Sequence, residues 1–368
     1  MAPKAIFKTL KLEKVSTKAA NLLKQTFLAK GGEVAVARGT ADLSVEFTDV
    51  LICATMKQYN MSLAQLRMQP WGLPKIADAI SNALKANDKF PFREFRWTGK
   101  KLLIQPRKTL VMGILNLTPD SFSDGGKYNN IDHALKKAEE MVHAGADIID
   151  IGAESTRPGF VEVPENEEIG RMLPVLEKLA KTCVAPISID TYKASVAKAA
   201  LDCGANIIND IWGLQKDPNM ANIVAAYNVP VIIMHNRLNN EYQSDIMADI
   251  CNFLSHSISI GISAGIRFEN IITDPGIGFA KNGQQNLVVM SRLDELKSLG
   301  CPILLGTSRK RFIGEVLDLP VEDRVEGTAA TVAVGITKGA NIVRVHDVES
   351  ISRIAKMTDV MIRGDLFD

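Results

Sequence analysis

From Thr109 onward, short apolar runs alternate with longer stretches whose apolar residues recur every three or four positions. The runs read TLVMGIL, DIIDIGA, PISID, NIINDI, PVIIMH, NIITDPG, PILLGT and NIVRVHD. They are dense in β-branched residues and do not alternate apolar with polar, the pattern of strands buried on both faces of a parallel sheet. Between them, IDHALKKAEEMVHAGA, KASVAKAALDCGA and MSRLDELKSLGC carry the helical period and close at or near glycine, as helix C-termini do. Eight strands alternating with helices predict an α/β fold, a (β/α)8 TIM barrel. An open doubly wound sheet is the alternative, and the absence of a GxGxxG after the first run counts against it.

The first hundred residues break this rhythm. AIFKTLKLEKV and TDVLICATM have strand character, and STKAANLLKQTFLAKGG reads as a helix with Ser16 at its N-cap. SLAQLRMQPWGLPKIADAISNALKAND reads as helix interrupted around Pro70 and Pro74. The expected organisation is a small α/β domain over residues 1–100 and a barrel over 101–368, joined near KFPFREFRWTGKKLLIQPRK. No catalytic constellation shows in the first domain, so packing or assembly is its expected role.

Composition narrows the function. At 368 residues the chain has room for a large domain and a small one. Forty-three basic and 42 acidic residues leave a formal charge of +1, which gives no electrostatic footprint for nucleic acid or a membrane surface. The cysteines, Cys53, Cys183, Cys203, Cys251 and Cys301, are scattered and form no CxxC; they read as thiols in a reducing compartment. No basic-then-apolar leader opens the chain, and its apolar runs are too short to span a bilayer. The expectation is a soluble, cytoplasmic enzyme acting on small molecules.

A barrel collects its chemistry where the strands end. Asn116, Glu154, Asp190, Asn209, His235, Asp274, Ser308, Arg344 and His346 fall at or just beyond the C-terminal ends of the runs. The motifs around them, GILNLTPDSFSDGG, ESTRPG, SIDTYK, NDIWG, TDPGIGFAK, GTSRK and VRVHDV, occur in that order. Together they resemble the dihydropteroate synthases, over roughly Thr109 to the C-terminus.

The resemblance implies condensation of 6-hydroxymethyl-7,8-dihydropterin pyrophosphate with 4-aminobenzoate, with release of pyrophosphate, by an SN1-like displacement. It implies that Asp190, Asn209, Asp274, Lys310 and Thr156 hold the pterin. Carboxylates suit the amino and ring N–H donors along one pterin edge. Asn116, Arg157, Arg344 and His346 are implied for the pyrophosphate, with Asn116 also contacting Mg2+. Pro158, Phe279, Ser308 and Arg311 are implied for 4-aminobenzoate, and Asp190, Asp274, Lys310 and Arg157 for catalysis. Mg2+ is a hard ion that takes oxygen ligands and is commonly completed by substrate phosphate. Loops containing Pro119, Gly125, Gly126 and Pro158 are expected to close over the substrates.

A homodimer and sensitivity to sulfonamide mimics of the acceptor follow as expectations. The chain departs from the family pattern at Arg311, where Ser is usual, and at Ala153 and Ala280, where Gly is usual. A pterin-dependent methyltransferase, a catalytically retired pterin-binding scaffold and a generic phosphate-binding barrel are the alternatives. The basic residues of STRPG, SRK and RVHD argue against the methyltransferase, which has no pyrophosphate to hold.

Overall fold

In the computed structural model, residues 2–117, 127–154 and 163–364 are described, with backbone alone at 127–130 and at Arg363. The chain divides into two units, Met1–Lys89 and Phe90–Asp368. After the short helix α1 (Ala2–Ala5), the first unit builds a three-stranded sheet from β1 (Phe7–Ser16), β2 (Glu33–Val36) and β3 (Phe47–Thr55). The strand order is β1-β3-β2 and both pairings are antiparallel.

Helices α2 (Thr17–Leu28), α3 (Met56–Leu66) and α4 (Leu73–Asp88) complete this unit. Leu23, Phe27, Ile52, Tyr59, Leu66, Leu73 and Ile80 pack into one core with no exposed surface. Ser16 stands at the N-cap of α2 as expected, but its side chain makes no capping bond. The cap with full chemistry belongs to α3, where Thr55 and Gln58 exchange hydrogen bonds as a capping box. Pro74 lies in the first turn of α4, where a missing N–H costs nothing.

The second unit opens with an antiparallel hairpin, β4 (Arg93–Trp97) and β5 (Lys100–Ile104). The expected domain boundary after residue 100 thus cuts into β5, and the observed division lies before the hairpin. All eight apolar runs then form strands: β6 (Leu110–Asn116), β7 (Ile148–Gly152), β8 (Ile187–Asp190), β9 (Ile207–Asp210), β10 (Val231–Met234), β11 (Ile271–Asp274), β12 (Leu304–Leu305) and β13 (Ile342–Val345). They pair in parallel in the order β11-β10-β9-β8-β7-β6-β13-β12. A parallel bridge between Thr273 and Ile303 joins β11 to the entry of β12 and closes the ring. The fold is a TIM barrel.

Helices α5 (Lys127–His143), α6 (Glu165–Thr182), α7 (Ala194–Asp202), α8 (Met220–Tyr227), α9 (Ile246–Ser263), α10 (Gly283–Ser291), α11 (Arg311–Leu317), α12 (Val325–Lys338) and α13 (Val348–Arg363) follow the strands. Outward-pointing strand residues such as Ile149, Ile151, Ile189, Ile208, Ile233 and Val343 pack in one core with helix residues such as Leu176, Val196, Val224, Leu254, Val332 and Ile351. The inward residues form a separate core. Leu110, Met112, Ile148, Ile207, Ile232, Ile272, Leu304 and Ile342 meet inside the ring, and Phe95, Leu102 and Ile104 of the hairpin pack onto them. The hairpin therefore forms the barrel floor.

Candidate active site

Side chains on one face of a strand are spaced two residues apart. One such step above the aliphatic floor, the inward positions turn polar: Ile148 is followed by Asp150, Ser188 by Asp190, Ile207 by Asn209, Ile272 by Asp274 and Ile342 by Arg344. Ser188 is itself polar, and β6 and β10 stay apolar one step up, at Ile114 and Met234, so a polar cluster drawn from five strands sits above the apolar plug. Above it opens a solvent-connected cleft, lined by Asp190, Asn209, Asp274, Lys310 and Arg344 together with Ile211, Met234, Ile277, Phe279 and Gly306.

Arg344 organises the cluster. Its Nε donates to Asp150 Oδ2 at 2.6 Å, and its Nη2 donates to Asp190 Oδ2 at 2.8 Å. Asn209 Nδ2 also donates to Asp150 Oδ2, at 3.3 Å. Burial disfavours the Arg344 charge, but Asp150 and Asp190 outweigh it and raise the pKa. Burial drives Asp190 up to about 7, with Arg344 opposing the rise and Asp150 adding to it. Asp274 is pushed up to about 6 by burial, against a bond from Gly276 N–H of 2.7 Å. Asp190 Oδ1 and Asp150 Oδ1 are buried and accept no hydrogen bond from the described residues. An orphaned buried acceptor is costly, and Asp190 is also one of the residues that line the cavity.

The opposite wall comes from the loop after β11. Gly276 has φ +68°, and a Cβ there would stand 2.0 Å from the His235 carbonyl oxygen; only glycine fits. A Cβ on Gly278 would likewise meet Lys310 Cδ at 2.8 Å. The Lys310 stem therefore lies along this loop, and its Nζ stands 4.3 Å from the centre of the Phe279 ring, within cation–π range. Lys281 pins the loop from behind by donating to Gly276 O at 3.0 Å, Phe279 O at 3.1 Å and His235 Nδ1 at 2.9 Å. Burial lowers Lys281 to about 7 and His235 to about 4. His235 is thus neutral near pH 7, with Nε2 3.1 Å from Asp249 Oδ1.

On the neighbouring side, Ser308 Oγ lies 3.0 Å from His346 Nδ1 and accepts from the His346 backbone N–H at 3.1 Å. Ser308 thus engages Nδ1 of the ring, as acceptor or donor according to the imidazole tautomer. Burial, followed by Arg344 and Arg309, pushes His346 down to about 3, so near pH 7 it is neutral. Arg309 is held by Asp347 through two bonds of 3.0 and 2.5 Å.

The structure brings Asp190, Asn209, Asp274, Lys310, Phe279 and Arg344 together on one cavity. Asn116 is not among the residues that line it; its Oδ1 stands near Gly152, where a Cβ would lie 3.6 Å from it and 3.9 Å from Asp190 Oδ2. Three of the expected residues have specific surroundings. Two buried carboxylates hold the Arg344 guanidinium. Ser308 is buried and engaged with His346. The Arg311 side chain is exposed and bonds Glu315 one helical turn on, at 2.8 Å, so it offers the cavity no side-chain group. Thr156, Arg157 and Pro158, and the loop with Pro119, Gly125 and Gly126, lie outside the described residues.

Sequence reasoning missed Asp150 and Lys281. Asp150 had a signal, a carboxylate inside an otherwise apolar strand; Lys281 had only its place beside Phe279.

Residues 112–346 match the pterin binding enzyme family, and the chain belongs to it. It is 57% identical over 265 residues to the dihydropteroate synthase of Bacillus subtilis, covering 72% of this chain and 93% of that protein. A crystal structure of dihydropteroate synthase from Clostridium difficile in the presence of pteroic acid is 52% identical, with a TM-score of 0.69, covering 70% of this chain and 98% of that one. A probable bifunctional folylpolyglutamate synthase/dihydropteroate synthase of Haloferax volcanii is 39% identical over 349 residues, 91% of this chain and 41% of that protein. That last match is too long to lie in the barrel unit alone.

Proposed function

We propose that the protein is a dihydropteroate synthase, a transferase of folate biosynthesis. It joins 4-aminobenzoate to the methylene carbon of 6-hydroxymethyl-7,8-dihydropterin pyrophosphate and releases pyrophosphate. The observation that carries this reading is the orphaned Oδ1 of Asp190, a residue that lines the cavity together with Asn209, Asp274 and Lys310. The pterin edge presents N–H donors to the two carboxylates, Asn209 both donates and accepts, and Lys310 donates to the ring carbonyl.

Departure of pyrophosphate leaves positive charge on the pterin methylene. Asp190 and Asp274 line the cavity, and their ionised carboxylates favour that cation. The 4-aminobenzoate amine then attacks the methylene carbon and gives up a proton, with Phe279 walling the aromatic ring and Pro158 expected opposite. His346 serves the leaving group, with Arg157 and Asn116 completing its binding. Thr156 serves the pterin and the Arg311 backbone the acceptor carboxylate.

The donor set suits Mg2+. Among the described residues no three His, Cys, Asp or Glu side chains are grouped to hold a metal, while Asn116 offers a hard oxygen beside Asp190. Asn116 would hold the ion, with substrate oxygens completing its shell. When bound it neutralises the departing diphosphate.

No described helix is long and apolar enough to cross a membrane, and the five cysteines are free thiols; both suit a cytoplasmic location. Val334 on α12 and Met357, Met361 and Ile362 on α13 are exposed, which suits pairing of two barrels. A sulfonamide fits the acceptor slot as a 4-aminobenzoate mimic.

The test follows pyrophosphate release with both substrates, with either alone, and in Asp190→Ala and Asp274→Ala. Release is expected only with both substrates and to be lost in both variants. Binding without release would support a retired scaffold, and release without the arylamine would indicate hydrolysis.

A further inference from the structure

A buried ion cluster lies at the two ends of the segment 155–162. Glu154 immediately precedes that segment and Val163 immediately follows it. Glu154 Oε1 accepts from the Val163 N–H at 2.8 Å. Lys193 Nζ donates to the Val163 carbonyl at 2.6 Å, to Glu154 Oε2 at 2.8 Å and to Glu168 Oε2 at 2.8 Å. An ammonium has three protons, and all three are matched. Glu154, Val163, Glu168 and Lys193 are all buried.

The connections are specific in direction. Glu154 leaves β7, Glu168 sits in the first turn of α6, and Lys193 precedes α7, three residues after Asp190. The Lys193 N–H also bonds Thr191 Oγ1 at 3.3 Å, inside the turn that follows Asp190. Desolvating three charges adds little net stability, and no residue of the cluster lines the substrate cavity. Its geometry fixes where the chain enters and leaves 155–162.

We propose that Lys193, with Glu154 and Glu168, is a positioning device that registers the ends of the 155–162 segment against the β8 loop carrying Asp190. It acts on catalysis through Arg157, without contact with the heterocycle. This rests on the proposed synthase reading, in which Arg157 serves the leaving pyrophosphate. Removing the ammonium leaves two carboxylates facing each other across the segment ends and frees the Val163 carbonyl.

The experiment uses the full chain with Lys193→Met. Affinity for 6-hydroxymethylpterin, which lacks the pyrophosphate, is measured by calorimetry, and kcat by pyrophosphate release with both substrates. Because Thr156 lies in the same segment, pterin affinity is expected to fall less than kcat, which drops roughly 10- to 100-fold, the size of effect that misplacing a catalytic group produces. A folded Lys193→Met variant with wild-type kcat would overturn the proposal, as would pterin affinity falling in step with kcat.

Should Lys193→Met lack a cooperative thermal transition, Glu154→Gln is the second variant. It keeps an acceptor for the Val163 N–H and removes one charge facing Lys193. The same split, smaller in size, is expected, and unchanged kcat would overturn the proposal. Failure of the synthase reading is distinct: the unsubstituted chain would then release no pyrophosphate with both substrates present.

Discussion

Replacing Arg344 by Met tests the electrostatics of the polar cluster. The substitution keeps an apolar stem but removes the guanidinium that bonds Asp150 at 2.6 Å and Asp190 at 2.8 Å. Asp150 has no exposed surface, and Asp190 is 6% exposed. Breaking a buried pair from one side costs about 3–5 kcal/mol because the remaining charge is stranded.

The protein can escape part of that cost by taking up a proton. Asp190 is already driven to about 7 by burial, and losing Arg344 moves it further up. A carboxyl whose folded pKa exceeds its unfolded value stabilises the fold fully below the unfolded value. That contribution is lost as pH rises through the folded pKa. The destabilisation should therefore approach the full 3–5 kcal/mol at pH 8 and shrink toward pH 5. Urea unfolding at several pH values measures it, and adding Asp150→Asn should recover part of the loss at pH 8. A loss below about 1 kcal/mol at pH 8, the scale of an exposed pair, or a loss independent of pH, would refute the reasoning.

Three further outcomes are expected. Pterin affinity should fall as pH drops from 8 to 5, because Asp190 and Asp274, at about 7 and about 6, lose the charge that accepts the pterin donors; calorimetry showing flat affinity would contradict this. A chain beginning at Phe90 should keep two-substrate turnover, whereas one beginning at Gln105 loses Phe95, Leu102 and Ile104 from the barrel floor. Each such lost side chain costs about 2–5 kcal/mol, and equal thermal stability of the two would count against the floor assignment. Ala280 sits at φ +46°, so Ala280→Gly should raise stability by about 0.5–1 kcal/mol in urea, and a net loss would show that the left-handed backbone carries no strain.

The barrel was legible because every strand is buried on both faces, which leaves an apolar run that no helix period imitates. Asn209 and Asp274 were legible for a related reason, since each is the first polar residue on the inward face of its strand; Asp190 follows Ser188 on the inward face of β8. Arg344 shows where that reading stops. Its position was evident, but its partners depend on which strands flank it in the closed ring, and β13 reaches Asp150 and Asp190 only across the barrel.

Lys193 and Lys281 were hidden for another reason. A lysine in a loop reads as solvated, and only the fold shows three acceptors converging on each ammonium. The direction of the Arg311 side chain was likewise not legible, since only the fold shows helix α11 turning it outward to Glu315. The hairpin was not separable from the first domain, since its alternating residues look alike whether they cover a sheet or plug a barrel.

The central claim is that one rim of the barrel mouth grips the pterin edge. A crystal structure of the protein with 6-hydroxymethylpterin tests it most directly. The ring's amino and N–H edge is expected against Asp190, Asn209 and Asp274, with Asp190 Oδ1 accepting a ligand hydrogen bond and Lys310 near the ring carbonyl. A ring bound away from those three side chains, or Asp190 Oδ1 left without a partner in the complex, would contradict it.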